Sequence, residues 1–556
     1  MVASAALLLW ESRELTLLVD EWQWGYAART GHDLQTFVDP HNGHFAAVMV
    51  LITKAALQVF DENAETALRV LAVALHLATA GCLFLLLRRS IGSLAALVPT
   101  ILLLFLGAAN DGIIGSHGMS VTITVLAGLT AWLAIQRHRP GWDMFAAAAL
   151  TIGVATESTV LPFAAAAGVM IALDRESPRS RLWVALLPIA VYVLWWIAWG
   201  HEERSGLAIA NLAAFPAYAF DSLAASLAAI TGVFTIPGSR TTGFDLAAGQ
   251  ALAGGLLVTL LLLVLARRYR PGAASIIPFV ALLLFWLSTA GVANPARVPW
   301  ASRYLYIDVV LLLLVLAQEI AASPVRRRGA LALSAVCALA LLPNIREITY
   351  AGDAQRGQAE INRAVMGAAN MVIGHGSESA LLEDSASLLP GEVGDLGLSL
   401  AAYRAARERF GSPAMSPSQI ADASGQARQA ADSLLVRALP IVVEPASART
   451  RPLPPGLDAA QTGGLLEHSD GCLRFIPLAP GAQVNLGIPV GGLWVRPAVG
   501  DPAPITVARF APDAGTAIAA AIGGRPSVLT LPASPASSGW RAWFTVDQPL
   551  RICAAA

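Results

Sequence analysis

The most constraining feature of this 556-residue chain is a series of apolar runs near 20 residues long, with arginines gathered in alternate connections. After a short N-terminal stretch, the runs fall at about 66–87, 91–109, 119–136, 144–156, 158–173, 182–199, 247–266, 273–293, 303–322 and 329–346. A helix needs about 20 apolar residues to cross the hydrocarbon of a bilayer, so with the first segment the pattern predicts a polytopic α-helical membrane protein of about eleven spans. Composition agrees: 56% of residues are hydrophobic, 13% are charged and mean hydropathy is +0.60. Net charge is close to neutral and says little, because the charges are unevenly placed. Lys54 is the only lysine, whereas arginine, alanine and glycine abound, a pattern typical of a high-GC bacterial genome.

Arg88-Arg89, Arg137 with Arg139, Arg175 with Arg179 and Arg181, Arg267-Arg268 with Arg270, and Arg326-Arg327-Arg328 occupy successive alternate loops. The positive-inside rule places these loops in the cytoplasm. The loops at 20–65 and 200–246, and everything after about 347, are then outside, which expects a bacterial cytoplasmic membrane protein with an extracytoplasmic C-terminal region. Residues 44–60 are apolar, but counting them as a span would invert every later loop, so they are expected to form an interfacial or re-entrant helix. A similar stretch, 207–234, contains Pro216 and Asp221. At the N-terminus, residues 2–10 are too few to span and Glu11, Arg13 and Glu14 follow. With no basic start or small-residue cleavage site, this is expected to be a short first helix ending near Val19.

The tail changes character. Residues 353–373 and 397–438 carry charges at helical spacing. After Pro440 come short runs punctuated by glycine and proline: CLRFIPL, AQVNLGI, GLWVRPAV, ITVARFA, PSVLTL, WRAWFTV and LRICA. Such alternation predicts an antiparallel β-sandwich. The expected divisions are a membrane part at 1–348, an extracytoplasmic helical region at 349–440 and a sandwich at 441–556, together a C-terminal α+β region. Of the four cysteines, Cys82 and Cys337 lie in apolar runs as packing residues, while an outside location would allow a Cys472–Cys553 disulfide.

Ionisable residues gather in the outer loops. VDEWQWGYAARTGHDLQTFVDPHNGH holds Asp20, Glu21, Trp22, Trp24, Asp33, Asp39, His41 and His44. Carboxylates there could act as a general base or hold a divalent cation such as Mg, Mn or Ca, and the tryptophans could stack on a sugar. They would equally serve as an interfacial aromatic belt beside acids that end a helix. NDGIIGSHG supplies Asp111 and His117, or is a glycine-rich turn. Glu157 sits between two short apolar runs, where ionisable groups are functional or paired. His201, Glu202, Glu203 and Arg204 open the long outer loop, as a site or as a solvated charge run. NPARVPWASRYLYIDV places Arg297 and Arg303 beside Trp300, Tyr304 and Tyr306, and arginine suits a lipid phosphate. No Walker A, GxGxxG or HExxH motif is present, and the sparse basic loops exclude nucleic-acid binding.

The Asp-Glu pair after the first helix, the long first outer loop, the many spans, the late Arg303-Tyr304 and the outer tail together resemble the GT-C fold glycosyltransferases, most closely their actinobacterial arabinosyl- and mannosyltransferase-like members. The resemblance covers about 1–346, and the tail is similar only in type, some members carrying β-sandwich carbohydrate-binding domains. It implies a polyprenyl-phosphate-linked sugar donor, a cell-envelope glycan or lipid acceptor, and transfer on the outer face. Asp20 takes the place of the family's base, with Glu21 beside it. Arg303 and Tyr304 match the pair that faces the lipid phosphate, with Arg297, His41 and His44 assigned to the same side. Trp22, Asp39, Asp111, His117, Glu157 and Glu202 become acceptor-side or supporting residues. Pro40 to His44 looks like a segment of uncharacterised members. The chain departs from the pattern in its short first helix and in lacking a DxD in the second outer loop. In the tail, Trp494, Trp540 and Trp543 would hold a glycan or fill the sandwich core. Two other classes stay open: a lipid-linked glycan flippase, and a non-catalytic scaffold for envelope assembly.

Overall fold

The computed structural model describes residues 1–16, 21, 24, 33–60, 63–174, 178–201, 208–234, 245–266, 272–294, 297–323, 326–373, 400–439, 441–446, 449–498, 503–511, 516–521, 525–531 and 539–556. Asp20, Trp22 and Glu202 lie outside the described residues, as do Glu203, Arg204, Arg175 and the Arg267-Arg268-Arg270 group. The chain divides into two compact units, Met1–Arg356 and Gly357–Ala556.

The first unit is helical. Among the described residues, five helices are long and apolar enough to cross a membrane: Ala64–Ile91, Arg179–Gly200, Ala247–Leu265, Ser302–Ala322 and Arg326–Ile373. Ser93–Leu104 and Gly107–Ile113, bent by 45°, make a sixth if taken as one span. The protein is therefore a multi-pass membrane protein. Other apolar runs form helices of 10–17 residues, shorter than a full crossing, so the count of about eleven rests on the sequence alone. Helix Ser302–Ala322 is central, 61% of its apolar window being buried, whereas Ala247–Leu265 is peripheral at 11%. The central helix packs on Ala64–Ile91, Phe215–Thr231 and Ile276–Gly291. The stretch at 44–60 forms helix Ala47–Phe60, which buries Met49, Val50, Thr53, Lys54, Ala56 and Leu57.

The first helix corrects an expectation. It spans Val2–Glu11 and stops well short of Val19. Its end is held from afar: Arg356 Nη1 donates to the Glu11 carbonyl at 2.6 Å and to Glu11 Oε2 at 3.0 Å, and Arg69 donates to the Ser12 carbonyl. The last carbonyls of a helix need partners, and these arginines supply them early. A second correction concerns 329–346 and 353–373, which are one continuous helix, Arg326–Ile373, with Pro343 inside it.

Asn344 of that helix is fully buried. Its Oδ1 accepts from the Ala108 amide at 3.1 Å, and its Nδ2 donates to the Ala229 and Ala340 carbonyls at 3.1 and 2.9 Å. It thereby satisfies both the bend after Leu104 and the last turn of helix Phe215–Thr231. Gly107 sits so close that a Cβ there would overlap the Asn344 carbonyl oxygen.

The second unit joins helices Leu400–Phe410, Pro417–Asp422 and Gly425–Ala438 to two antiparallel sheets. After the short pair β1 (Pro40–His41) and β2 (His44–Phe45) of the first unit, the strands are β3 (Val442–Pro445), β4 (Thr450–Arg451), β5 (Ala459–Thr462), β6 (Gly464–Ser469), β7 (Cys472–Pro477), β8 (Ala482–Gly487), β9 (Leu493–Pro497), β10 (Ala503–Ala508), β11 (Thr516–Ala521), β12 (Ser527–Thr530), β13 (Arg541–Val546) and β14 (Leu550–Ala555). One sheet runs β11-β10-β13-β8-β5; the other runs β3-β12-β9-β14-β7-β6, with β4 beside β14. All seven runs read as strands in the sequence are strands, and β3 to β6 and β11 join them. Cys472 and Cys553 are disulfide-bonded across 81 residues, packed on Trp494. Trp494 and Trp540 are 4% and 1% exposed; both are core residues, which removes them as glycan platforms. Buried Asp432 accepts from the amides of Phe510 and Ala511 at 3.0 and 2.8 Å, fixing helix Gly425–Ala438 to the sheet. Burial pushes its carboxyl up, against the pull of those amides.

Two outcomes follow. Cys472→Ser should lower stability by about 2–5 kcal/mol, read as a lower unfolding temperature of the purified chain that reducing agent reproduces in the unmodified protein. Asn344→Leu leaves buried backbone groups unpaired and should cost about 2–4 kcal/mol, read by thermal unfolding in detergent.

Candidate active site

The PHNGH segment is a tight hairpin. Pro40 pairs with Phe45 and His41 with His44, around Asn42 and Gly43 at φ 52° and 78°. An Asn-Gly pair with both φ positive is the favoured two-residue hairpin turn. Two contacts dock the hairpin on the corner at 155–160. His44 Nδ1 lies 2.8 Å from Ser158 Oγ, and the Val48 amide donates to the Ala155 carbonyl at 2.9 Å. On the far side, Phe45 stacks on Trp195 at 5.1 Å, and Trp195 Nε1 donates to the Val38 carbonyl at 2.7 Å. His41 is buried and meets the Trp24 ring edge-on at 5.3 Å. Glu21, three residues before Trp24, is 2% exposed.

Asp111 is set by its backbone. Its amide donates to Ser302 Oγ at 3.0 Å. A Cβ on Gly118 would overlap the Asp111 carbonyl oxygen, and one on Gly112 would stand 3.5 Å from Tyr306. The glycines of NDGIIGSHG thus let the loop close on itself and seat against helix Ser302–Ala322. Tyr306 is itself oriented by His76, whose Nδ1 is 2.9 Å from the Tyr306 hydroxyl.

Arg303 occupies the first turn of that helix, half-buried, with its guanidinium carbon 5.2 Å from the Tyr304 ring centre. A cation at a helix N-terminus opposes the helix dipole. Burial and Tyr304 weigh most on the Arg303 charge, and Asp111 and Glu157 act on it to a lesser degree. Glu157 precedes the Ser158 that holds His44. The fold therefore links residues that the sequence scatters over four outer connections: the hairpin histidines, Asp111, Glu157 and Arg303.

Other expected residues stand apart. Asp39 is bonded by Gln35 Nε2 at 2.7 Å on the surface. Asp33 caps helix Leu34–Val38, and the Thr36 hydroxyl and amide hold its carboxyl below the usual range. His201 is exposed beside the Trp196 carbonyl. Arg297 lies in a turn on Asn294, six residues before Arg303. His117 lies in the short 3-10 helix Ser116–Gly118. Ser158 and Trp195 were not singled out in the sequence; the Asn-Gly turn was a readable signal for the hairpin, but nothing local points to its docking partners. Among the described residues no three His, Cys, Asp or Glu side chains group to hold a metal ion.

No family model and no curated protein matches this chain. Among solved structures it is similar to the crystal structure of ArnT from Cupriavidus metallidurans bound to undecaprenyl phosphate, at 13% identity and a TM-score of 0.41, over 75% of this chain and 84% of that one. A likeness at that level leaves the site to be read from its own residues.

Gly118→Ala should displace the Asp111 loop at a cost of about 1–3 kcal/mol, measured by thermal unfolding, and should lower activity more than stability.

Proposed function

We propose that this protein is a GT-C-type membrane glycosyltransferase that moves a sugar from a polyprenyl-phosphate carrier to a cell-envelope glycan or lipid on the outer face of the cytoplasmic membrane. The observation that carries this reading is Arg303: a half-buried cation in the first turn of a buried apolar helix, its guanidinium against the Tyr304 ring and the start of its helix bonded by the Asp111 loop. A lipid phosphate brings its negative charge to that depth and its tail to the helices. Guanidinium is the group best suited to bind it. As the glycosidic bond to phosphate breaks, negative charge grows on the leaving oxygen, and a pre-placed cation stabilises it.

Transfer also needs a base to take the proton of the acceptor hydroxyl. Asp20 is proposed for that role, with Glu21 beside it as neighbour or substitute. The burial of Glu21 and the packing of Trp24 on His41 support a segment held against the hairpin. The second unit is proposed to hold the acceptor glycan.

A flippase is the second reading. It is favoured by polar groups deep in the helices, His76 on Tyr306 and Asp308, whose Oδ1 accepts from Trp286 Nε1 at 2.8 Å. Each of these is bonded to a neighbour, as expected of packing more than of a lined path.

In a deletion strain, Asp20→Asn should lower transfer about 10²–10⁴-fold, read from envelope glycan profiles, and Glu21→Gln less. Full complementation by both variants would sink the catalytic reading. Arg303→Gln should weaken the donor roughly 10–100-fold, the worth of a charge-assisted bond, seen in KM; carrier bound and moved without sugar transfer would favour the flippase.

A further inference from the structure

Opposite charges are favoured at directly opposed positions of a sheet, and like charges there repel. The larger sheet of the second unit breaks that rule along one line. Arg551 of β14 is the direct partner of Arg474 on β7 and of Arg496 on β9. Three arginines therefore stand side by side on three adjacent strands, and all three are exposed. Partners across antiparallel strands are about 4.5–5.5 Å apart at Cα, so the line is roughly 10 Å long. Glu467 stands opposite Arg474 on the edge strand β6, yet among the described residues no ion pair reaches any of the three. Arg541, on the other sheet, is by contrast paired with Asp458. Alternate residues of a strand share a face. The next row on this face is thus Cys472, Cys553 and Trp494, buried and locked by the disulfide. Arg551 leans toward it, with Nη2 4.0 Å from Cys472 Sγ.

We propose that Arg474, Arg551 and Arg496 form a binding line for an acidic glycan, one whose successive units carry carboxylate or phosphate groups. A guanidinium pairs either group through two parallel N–H bonds, and an extended acidic chain laid across the strands meets three such forks in turn. The repulsion built into the free sheet is relieved when the anion arrives. The rows on either side of the line are uncharged: Cys472, Cys553 and Trp494 on one, Leu465 and Ile476 on the other. The cations are thus one residue wide, a shape that fits a linear polymer, whereas an anionic bilayer draws on basic groups clustered over an area. The inference rests on the reading of the second unit as the holder of the acceptor glycan, and adds the charge of that glycan and the residues that meet it.

The test uses the purified full chain in neutral detergent micelles, with polygalacturonate and poly(glycerol phosphate) as acidic polymers and dextran and arabinan as neutral ones. At least one acidic polymer should bind about tenfold more tightly than either neutral one, and that margin should shrink as salt is raised and screens the charges. Arg551→Gln should remove most of the margin, and Arg474→Gln and Arg496→Gln should each reduce it. All three variants should keep or raise the unfolding temperature of the ligand-free protein, because each removes a like-charge neighbour; an arginine that merely supports the sheet would lower it when replaced. Phosphatidylglycerol mixed into the micelles should leave the polymer bound; if it displaces the polymer, the line is a lipid contact and the proposal falls. Neutral polymers bound as tightly as acidic ones, or variants that keep the margin, would overturn the acidic-glycan line while the acceptor reading stands. Failure of the unmodified protein to bind any of the four polymers would overturn both.

Discussion

The first unit depends on how Asn344 closes a break in its apolar framework. Backbone groups within a bilayer must be paired inside the protein, because no water is there to bond them. The chain interrupts its helices at Phe105–Leu106 and again at Gly232, and each interruption frees an amide or a carbonyl. One buried carboxamide answers both, with its oxygen on Ala108 and its nitrogen on Ala229 and Ala340. That leaves the segment beyond the first break free to run as the loop of Asp111. That loop bonds the start of helix Ser302–Ala322 through the Asp111 amide and Ser302 Oγ.

The site is then a matter of loops seated on rigid supports. The hairpin at 40–45 is anchored on the 155–160 corner and on Trp195, and the Asp111 loop on Ser302 and Tyr306. Ser158, Trp195, Ser302 and Tyr306 act here by placement. They hold the ionisable residues in place, which matters for chemistry that turns on placing a cation, a carboxylate and a hydroxyl at fixed separations. The central helix contributes twice, with Arg303 at its mouth and Tyr306 one turn deeper.

Much of this was legible from the residues, and the limits have physical causes. The long apolar helices are written in composition, since apolar length acts locally. The β-strands of the second unit are likewise local, because alternation of burial has a period of two. The end of the first helix was not legible: Arg356, which captures Glu11, lies 345 residues away. The grouping of His44, Asp111, Glu157 and Arg303 belongs to the same class, because each is ordinary in its own loop and acquires meaning only beside the others. Trp494 and Trp540 show the converse, aromatics whose type fits a sugar platform and whose position is the core.

The order of the larger sheet carries a consequence for biogenesis. Its strand β14, at residues 550–555, is not at an edge but between β9 and β7, with β4 also on it. The sheet is thus completed from its middle, and by the strand that is made after all its neighbours. Until that strand crosses the membrane, β9 and β7 present open backbone edges to one another and to any other chain. The larger sheet is therefore incomplete until residues 550–555 are in place, and the Cys553 that locks it arrives in the same few residues.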